Sequence, residues 1–135
     1  MSTHSHSTIK TQLGIISCGG IDGNKTGGGI GSRPIDTNKC WKLSSNNEWV
    51  PFPSMNEKRA DFAMGEGMGK IFSVGGYGAS SSMEWIMMDD GKNWVKQDLP
   101  FSIYGHCISK YNDTHLLLTG GNFKNKQRSR WKVKY

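Results

Sequence analysis

The sequence predicts an all-β protein made of a repeated unit of four short strands. Three apolar runs each end in a glycine pair, and the pairs are Gly19-Gly20, Gly75-Gly76 and Gly120-Gly121. Their first glycines are 56 and 45 residues apart, and repeat periods of about 45 to 50 residues are typical of propellers and arrays. Tryptophans follow the pairs in a regular order, at Trp41, Trp49, Trp85, Trp94 and Trp131. Prolines mark the turn into each later unit, at Pro51, Pro53 and Pro100.

Alternation of apolar and polar residues, with turn residues between the runs, places the individual strands. Ten strands are predicted, at residues 13–18, 39–43, 48–52, 61–65, 70–74, 83–87, 93–97, 105–110, 115–119 and 130–135. They make about two and a half units, which span residues 13–54, 55–100 and 101–135. The first unit is expected to lack its innermost strand, and the third to end after its third strand.

Two segments fall outside this regular pattern. Residues 1–12 are predicted to be a flexible polar tail, and their stretch 7–12 is a weaker candidate for the missing edge strand. Residues 21–36 are predicted to be a long loop within the first unit.

The co-ordinated pattern resembles the kelch-repeat family, whose blades are four-stranded antiparallel sheets arranged around a central channel. It depends on the glycine pairs, on Trp49 and Trp94, and on the segment 54–60. Residues 99–107, followed by 112–115, are similar to the invertebrate branch of that family. The resemblance covers residues 14–135, although Trp41 and Trp85 replace the tyrosine usual in the third strand. It implies a partial kelch-type β-propeller with an incomplete ring, acting as a non-catalytic protein-interaction scaffold and forming a fragment of a larger propeller.

The residues of the repeat are expected to be structural. Glycine adopts positive φ at little cost and lets other groups approach the backbone closely, so the glycine pairs are expected to shape the strand ends. A large ring such as Trp94 is expected to cover a neighbouring sheet and to join one blade to the next. A ligand-binding cage of aromatic rings is the alternative.

The three cysteines leave two alternatives open. Cys18 and Cys40 are predicted to lie on neighbouring strands, where they could form a disulfide in an oxidising compartment, with Cys107 left over. Alternatively, all three are small buried apolar residues. Two glycosylation acceptor patterns, Asn24-Lys25-Thr26 and Asn112-Asp113-Thr114, fall in predicted loops and favour an extracellular parent.

The expected location of the protein depends on that choice. The sequence as written shows no secretory signal and no apolar run of membrane-spanning length. An intracellular protein is therefore the default expectation, and an extracellular one is expected if the chain comes from a secreted parent.

The formal net charge of +6 is concentrated near the end of the chain. The basic residues there are Lys124, Lys126, Arg128, Arg130, Lys132 and Lys134. Trp131, Val133 and Tyr135 alternate with the last three, which is the pattern of a half-buried strand with a basic solvent face. Nucleic-acid binding is therefore not expected, and an acidic protein partner is the alternative.

The sequence predicts neither an enzyme nor a cofactor or metal site. The glycine run 27–31 lacks the Lys-Ser or Lys-Thr that completes a phosphate loop. His106, Cys107 and His115, and His4 and His6 in the tail, do not have the spacing of a closed zinc site, and a structural role is expected for the histidines. A copper radical oxidase shares the kelch architecture, but Tyr104 and Tyr111 do not align with its metal site, so this remains a remote alternative.

The expected activity is protein binding, through loops at the ends of the blades. Candidate contact residues are Asn24, Lys25 and Arg33 in the long first loop, and Arg59 and Tyr104 near the innermost strands. The partner could be an intracellular one, since many kelch proteins present substrates to ubiquitin ligases or bind actin. The alternative is a secreted or cell-surface adhesion module with a Cys18–Cys40 disulfide. Self-association through open sheet edges is also expected.

Overall fold

The computed structural model describes residues 3–4, 6–26, 34–89, 91–123 and 130–134, and the regular elements in these ranges are all β-strands. In chain order they are β1 Thr3–His4, β2 Ser7–Thr11, β3 Gly14–Cys18, β4 Ile21–Thr26, β5 Pro34–Asp36, β6 Cys40–Leu43, β7 Trp49–Phe52, β8 Ala63–Gly67, β9 Lys70–Val74, β10 Ser82–Met87, β11 Val95–Asp98, β12 Ile103–Lys110, β13 His115–Phe123 and β14 Arg130–Lys134.

The strands form four antiparallel sheets. The N-terminal sheet has the order β2-β3-β6-β7, the central sheet β8-β9-β10-β11, and the C-terminal sheet β12-β13-β14. A fourth sheet, which we call the insertion sheet, has the order β1-β4-β5. Its strands β4 and β5 lie between β3 and β6 in the chain, whereas β1 precedes β2. Strand β8, the first of the central sheet, contacts both β2 and β12. The N-terminal, central and C-terminal sheets, which we call the three larger sheets, therefore lie side by side through their first strands, in the order of the sequence.

The ten predicted strands overlap β3 and β6 to β14, and the all-β prediction is confirmed for the described residues. The prediction that the first unit lacks its innermost strand is wrong, because β2 pairs with β3 and places Ile9 opposite Ile16. Residues 7–11 therefore form the edge strand that was the weaker alternative for this segment, and the flexible tail does not extend to residue 12. The predicted loop 21–36 contains β4 and β5, which pair with each other.

Strand β9 of the central sheet is buried on both of its faces. Along β9, Ile71 belongs to a cluster shared with the N-terminal sheet, whereas Phe72 and Val74 belong to a cluster shared with the C-terminal sheet. Because successive side chains of a strand point to opposite faces, a strand between two such clusters must be apolar at nearly every position. This explains why residues 71–74 are all buried and why three of the four, Ile71, Phe72 and Val74, are apolar.

The first two glycine pairs form the joints between sheets. Gly76 donates its N–H to the carbonyl of Ile103 at 2.8 Å, and Gly20 donates to the carbonyl of Arg59 at 2.6 Å. Arg59 lies just before β8 and Ile103 is the first residue of β12, so the same joint occurs at the entry to two consecutive sheets. A side chain at Gly76 would place its Cβ 2.6 Å from the carbonyl oxygen of Ala60. The φ of Gly76 is 95° and that of Gly20 is 94°, in the region that favours glycine.

Trp94 joins two sheets, whereas Trp49 does not. Trp94 is 4% exposed and packs with Ile16 and Met55 in the cluster between the N-terminal and central sheets. Its indole Nε1 donates to the carbonyl of Pro53 at 2.8 Å. The same role was expected for Trp49, but that side chain is 41% exposed. Trp49 belongs to the first of the three sheets, so no described sheet precedes it for its ring to cover.

The cysteines do not all follow one of the two alternatives. Cys18 and Cys40 are directly opposite each other on β3 and β6, are buried, and form a disulfide. Cys107 is exposed on β12, so the expectation of three buried cysteines is wrong for this residue. The disulfide closes a loop of residues 19–39, which includes the β4–β5 hairpin.

Candidate functional site

Two tyrosine rings stack at one end of the central and C-terminal sheets. Tyr77 directly follows the second glycine pair, and Tyr104 lies near the start of β12. Their ring centroids are 4.3 Å apart with an interplanar angle of 33°. The exposed residue Asp61 lies just before β8 and hydrogen-bonds through its carbonyl to the N–H of Gly105, next to Tyr104. We call these three residues, Asp61, Tyr77 and Tyr104, the rim patch.

The backbone of the rim patch is held by hydrogen bonds across the sheets. Tyr77 and Ala60 form an isolated antiparallel bridge, in which Tyr77 donates at 2.7 Å and Ala60 donates at 3.1 Å. Asp61 has a φ of 51°, and Gly105 at the equivalent place in the next sheet has a φ of 65°. Aspartate tolerates this left-handed conformation better than most residues. The patch therefore presents its rings from a fixed backbone.

The electrostatics of the rim patch favour the neutral form of Tyr77. The hydrogen bond to Tyr104 raises the pKa of Tyr77 above its usual range, and partial burial and the negative charge of Asp61 act in the same direction. The Tyr77 side chain is still 48% exposed. An exposed, rigidly held aromatic ring with a hydroxyl is the kind of side chain that dominates protein–protein contacts, because little conformational entropy is lost when it binds.

Within the described ranges, no group of three or more His, Cys, Asp or Glu side chains could hold a metal ion. Tyr104 and Tyr111, considered for the copper alternative, lie near opposite ends of β12.

Arg59 was expected to contact a partner, and this expectation is wrong because its side chain is 0% exposed. It makes an ion pair with the buried carboxylate of Glu84 at 3.0 Å. Its guanidinium also donates to the carbonyls of Gly75, Ala79 and Ser82. Glu84 in turn accepts from the backbone N–H groups of Asn56 and Glu57; we call Arg59, Ser82 and Glu84 the buried network. Arg59 therefore ties the connection before β8 to the central sheet.

The remaining predicted contact residues are less well defined. Asn24 and Lys25 lie in β4 rather than in a loop, and Arg33 lies outside the described residues. The basic end strand agrees with expectation where it is described, because Lys132 and Lys134 are exposed while Val133 is buried. Lys124, Lys126 and Arg128 are outside the described residues.

Sequence reasoning identified Tyr104 but missed Tyr77. A signal was available, because the residue that follows each glycine pair occupies an equivalent position. This residue is Ile21 after the first pair, Tyr77 after the second and Asn122 after the third. Only the second repeat places an aromatic ring there, and aromatic side chains are enriched at interfaces.

His106 is buried next to the joint between the central and C-terminal sheets. It is 7% exposed, and within the described structure neither ring nitrogen makes a hydrogen bond of acceptable geometry. Burial lowers the pKa of His106 to about 4, and the Val74 backbone opposes this only in part. The equivalent residue in the central sheet is Phe62, because a Cβ at Gly76 would lie 2.6 Å from Cβ of Phe62 and one at Gly121 would lie 2.8 Å from Cβ of His106.

We therefore expect a stability loss on acidification that the variant His106→Phe lacks. The unfolded chain, with a histidine pKa near 6.5, binds the proton more readily than the folded chain. The contribution of His106 to the free energy of unfolding is nearly full at about pH 7 and above. It decreases by about 2 kcal/mol between about pH 7 and about pH 5. Urea denaturation across that range measures it. Parallel pH profiles for the wild type and His106→Phe would contradict the assignment.

Comparison with known proteins gives one partial similarity. No family model matches the chain. The chain is similar to Kelch-like protein 40 of Mus musculus, with 27% identity over 88 residues that cover 61% of this chain and 14% of the mouse protein. The chain thus matches only a small part of the length of that relative. This similarity and the antiparallel all-β architecture are consistent with a kelch-like protein.

In the part of the chain that the structure describes, no helix is long and apolar enough to cross a bilayer.

Proposed function

We propose that the three larger sheets are consecutive blades of a kelch-type β-propeller, and that the chain is a non-catalytic scaffold that binds a protein partner through the rim patch. The observation that carries this proposal is the repeated joint. Gly20 to Arg59 and Gly76 to Ile103 are the same hydrogen bond between the second strand of one sheet and the entry to the next. A joint that repeats with the sequence period is what radial repetition of one sheet requires.

The geometry of the first strands supports the same arrangement. In a propeller, the innermost strand of each blade lies beside that of its neighbours, and β8 contacts β2 on one side and β12 on the other. The similarity to Kelch-like protein 40 supports the kelch type. Among the residues that the structure describes, the sheets are not closed into a ring.

The rim patch supports the binding role. It combines two stacked rings with a carboxylate at the end of the sheets where connections between strands meet. Contacts of this kind concentrate binding energy in a few aromatic residues.

A second candidate is an adhesion module outside the cell. The Cys18–Cys40 disulfide favours it, because disulfides persist mainly in oxidising compartments. Both candidates are scaffolds, and they differ in where the partner is found.

The test is quantitative affinity capture with the purified chain, comparing the double variant Tyr77→Ala/Tyr104→Ala with Tyr111→Ala. Tyr111 is 50% exposed and lies at the other end of β12, so it is a matched exposed tyrosine outside the rim patch. We expect the bound partner to lose affinity on the order of tenfold or more in the double variant. Tyr111→Ala should retain it.

Two results would contradict the proposal. The first is capture of the same proteins, in the same amounts, by the wild type and the double variant. The second is a larger loss in Tyr111→Ala than in the double variant. Circular dichroism of each variant shows whether the sheets remain folded.

A further inference from the structure

The turn between β12 and β13 carries an acceptor pattern for N-linked glycosylation. Asn112, Asp113 and Thr114 follow β12, and all three residues are exposed. They satisfy Asn-X-Thr with X not proline, the pattern that oligosaccharyl transfer requires on a surface turn. Tyr111 before them is also exposed, so no part of the hydrophobic clusters has to move to make room for a glycan.

The hydrogen bonds of this turn are compatible with a sugar on Asn112. Its carbonyl oxygen Oδ1 accepts from the N–H of Thr114 at 2.9 Å, from the hydroxyl of Thr114 at 3.0 Å and from the N–H of His115 at 2.9 Å. Glycosylation takes place on Nδ2 and leaves Oδ1 a carbonyl. These three hydrogen bonds can therefore persist in the glycosylated chain, and the turn keeps its shape.

A second, independent observation points to the compartment in which this chemistry occurs. Cys18 and Cys40 form a disulfide in the N-terminal sheet, which does not include the turn. Disulfide formation and N-glycosylation take place in the same oxidising secretory compartment. The pattern, its exposure and the disulfide thus agree.

We propose that Asn112 is an N-glycosylation site. Nδ2 of Asn112 forms a bond to the anomeric carbon of an oligosaccharide carried on a lipid diphosphate. The bond between that carbon and the diphosphate oxygen breaks, the amide nitrogen releases one proton to water, and the lipid diphosphate leaves with the bonding electron pair. No oxidant or reductant is needed.

The position of Asn112 keeps the glycan away from the proposed binding surface. Tyr104 lies near the start of β12 and Asn112 follows its end, which separates them by roughly 25 Å at about 3.3 Å per residue. The inference does not depend on the proposed function, since a glycosylated chain could bind partners through the rim patch or not.

The other acceptor pattern provides an internal contrast. Asn24, Lys25 and Thr26 lie within β4, which pairs with β1 and β5, and not in a free turn. The variant Asn24→Gln therefore serves to separate any signal at that asparagine from the signal at Asn112.

The experiment is to express the full chain behind a cleavable secretion signal in insect cells and to map peptides of the secreted protein by mass spectrometry. We expect the peptide that contains Asn112 to carry a glycan that peptide:N-glycosidase removes. Thr114→Ser keeps the hydroxyl and should keep the glycan, whereas Thr114→Ala should lose it.

Either of two outcomes would overturn the site. One is a secreted wild-type chain whose Asn112 peptide carries no glycan. The other is a glycan on Asn112 that is unchanged in Thr114→Ala. Thr114→Ser and Thr114→Ala differ by one hydroxyl at an exposed position, so a fold defect shared by both would show in their circular dichroism.

Discussion

The variant Glu84→Gln is expected to lose roughly 3 to 5 kcal/mol of unfolding free energy, because it removes one partner of a buried ion pair and leaves a buried charge uncompensated. Both Arg59 and Glu84 have fully buried side chains, and Nη2 of Arg59 lies 3.0 Å from the carboxylate. The neutral amide would face the guanidinium, and the other carboxylate near Arg59, that of Glu57, is partly exposed and paired with Lys96. Urea denaturation of the purified variant measures the loss.

The matched control is Glu57→Gln. Glu57 pairs with Lys96 at 2.7 Å, but both side chains are well exposed, at 33% and 46%. The hydrogen bond to Lys96 lowers the pKa of Glu57, yet exposed pairs of this kind contribute little because water screens them. A loss in Glu57→Gln as large as that in Glu84→Gln would contradict the account of the buried network.

A double variant separates the charge from the packing. Ile103 is the residue equivalent to Arg59 in the C-terminal sheet, and it is fully buried and apolar. The fold thus accommodates an apolar residue at this position. Arg59→Met/Glu84→Met should therefore recover part of the stability that Glu84→Met alone loses, since replacing both charges avoids the unpaired one.

The variant Gly75→Ala is expected to lose about 3 kcal/mol or more, a combination of backbone strain and collision. Gly75 has a φ of 66°, and a Cβ there would lie 2.5 Å from the carbonyl oxygen of Ile103. That carbonyl accepts the hydrogen bond of Gly76, so it cannot move away without opening the joint between sheets.

Gly120→Ala isolates the collision from the strain. Gly120 occupies the equivalent position in the C-terminal sheet with a φ of 68°, but a Cβ there would meet no atom within 4 Å among the described residues. This variant should lose only the strain of the left-handed conformation, about 1 to 2 kcal/mol. Thermal melts followed by circular dichroism compare the two. Equal losses would show that the joint does not depend on close approach at Gly75.

The sequence was sufficient for the repeat, since punctuation by glycine pairs and tryptophans is local. The turn between β8 and β9 is also a local feature of the sequence. Met68 and Gly69 both have positive φ, at 50° and 72°, as a two-residue hairpin turn requires. Strand β2 was only a weak alternative, because residues 7–11 contain a single large apolar side chain, Ile9. Its strand conformation depends on pairing with β3, which a local pattern does not show.

The candidate site was harder to predict, because its members meet only in three dimensions. Arg59 of the buried network is an arginine, a residue type that is usually exposed. Its buried partner Glu84 is 25 positions away in the chain. Tyr77 and Tyr104 are also distant in sequence, and only the side-by-side packing of two sheets stacks their rings. Exposure of Trp49 depends on whether another sheet covers it, which tryptophan spacing does not specify.

The central claim is that the three larger sheets pack side by side through their first strands, as consecutive blades do. Nuclear magnetic resonance of a chain with labelled isoleucine methyl groups tests it most directly. Ile108 of β12 lies against Gly65 of β8, where a Cβ would be 3.4 Å from its side chain. The account predicts a nuclear Overhauser contact between an Ile108 methyl group and Hα of Gly65. Folded sheets without that contact would contradict it.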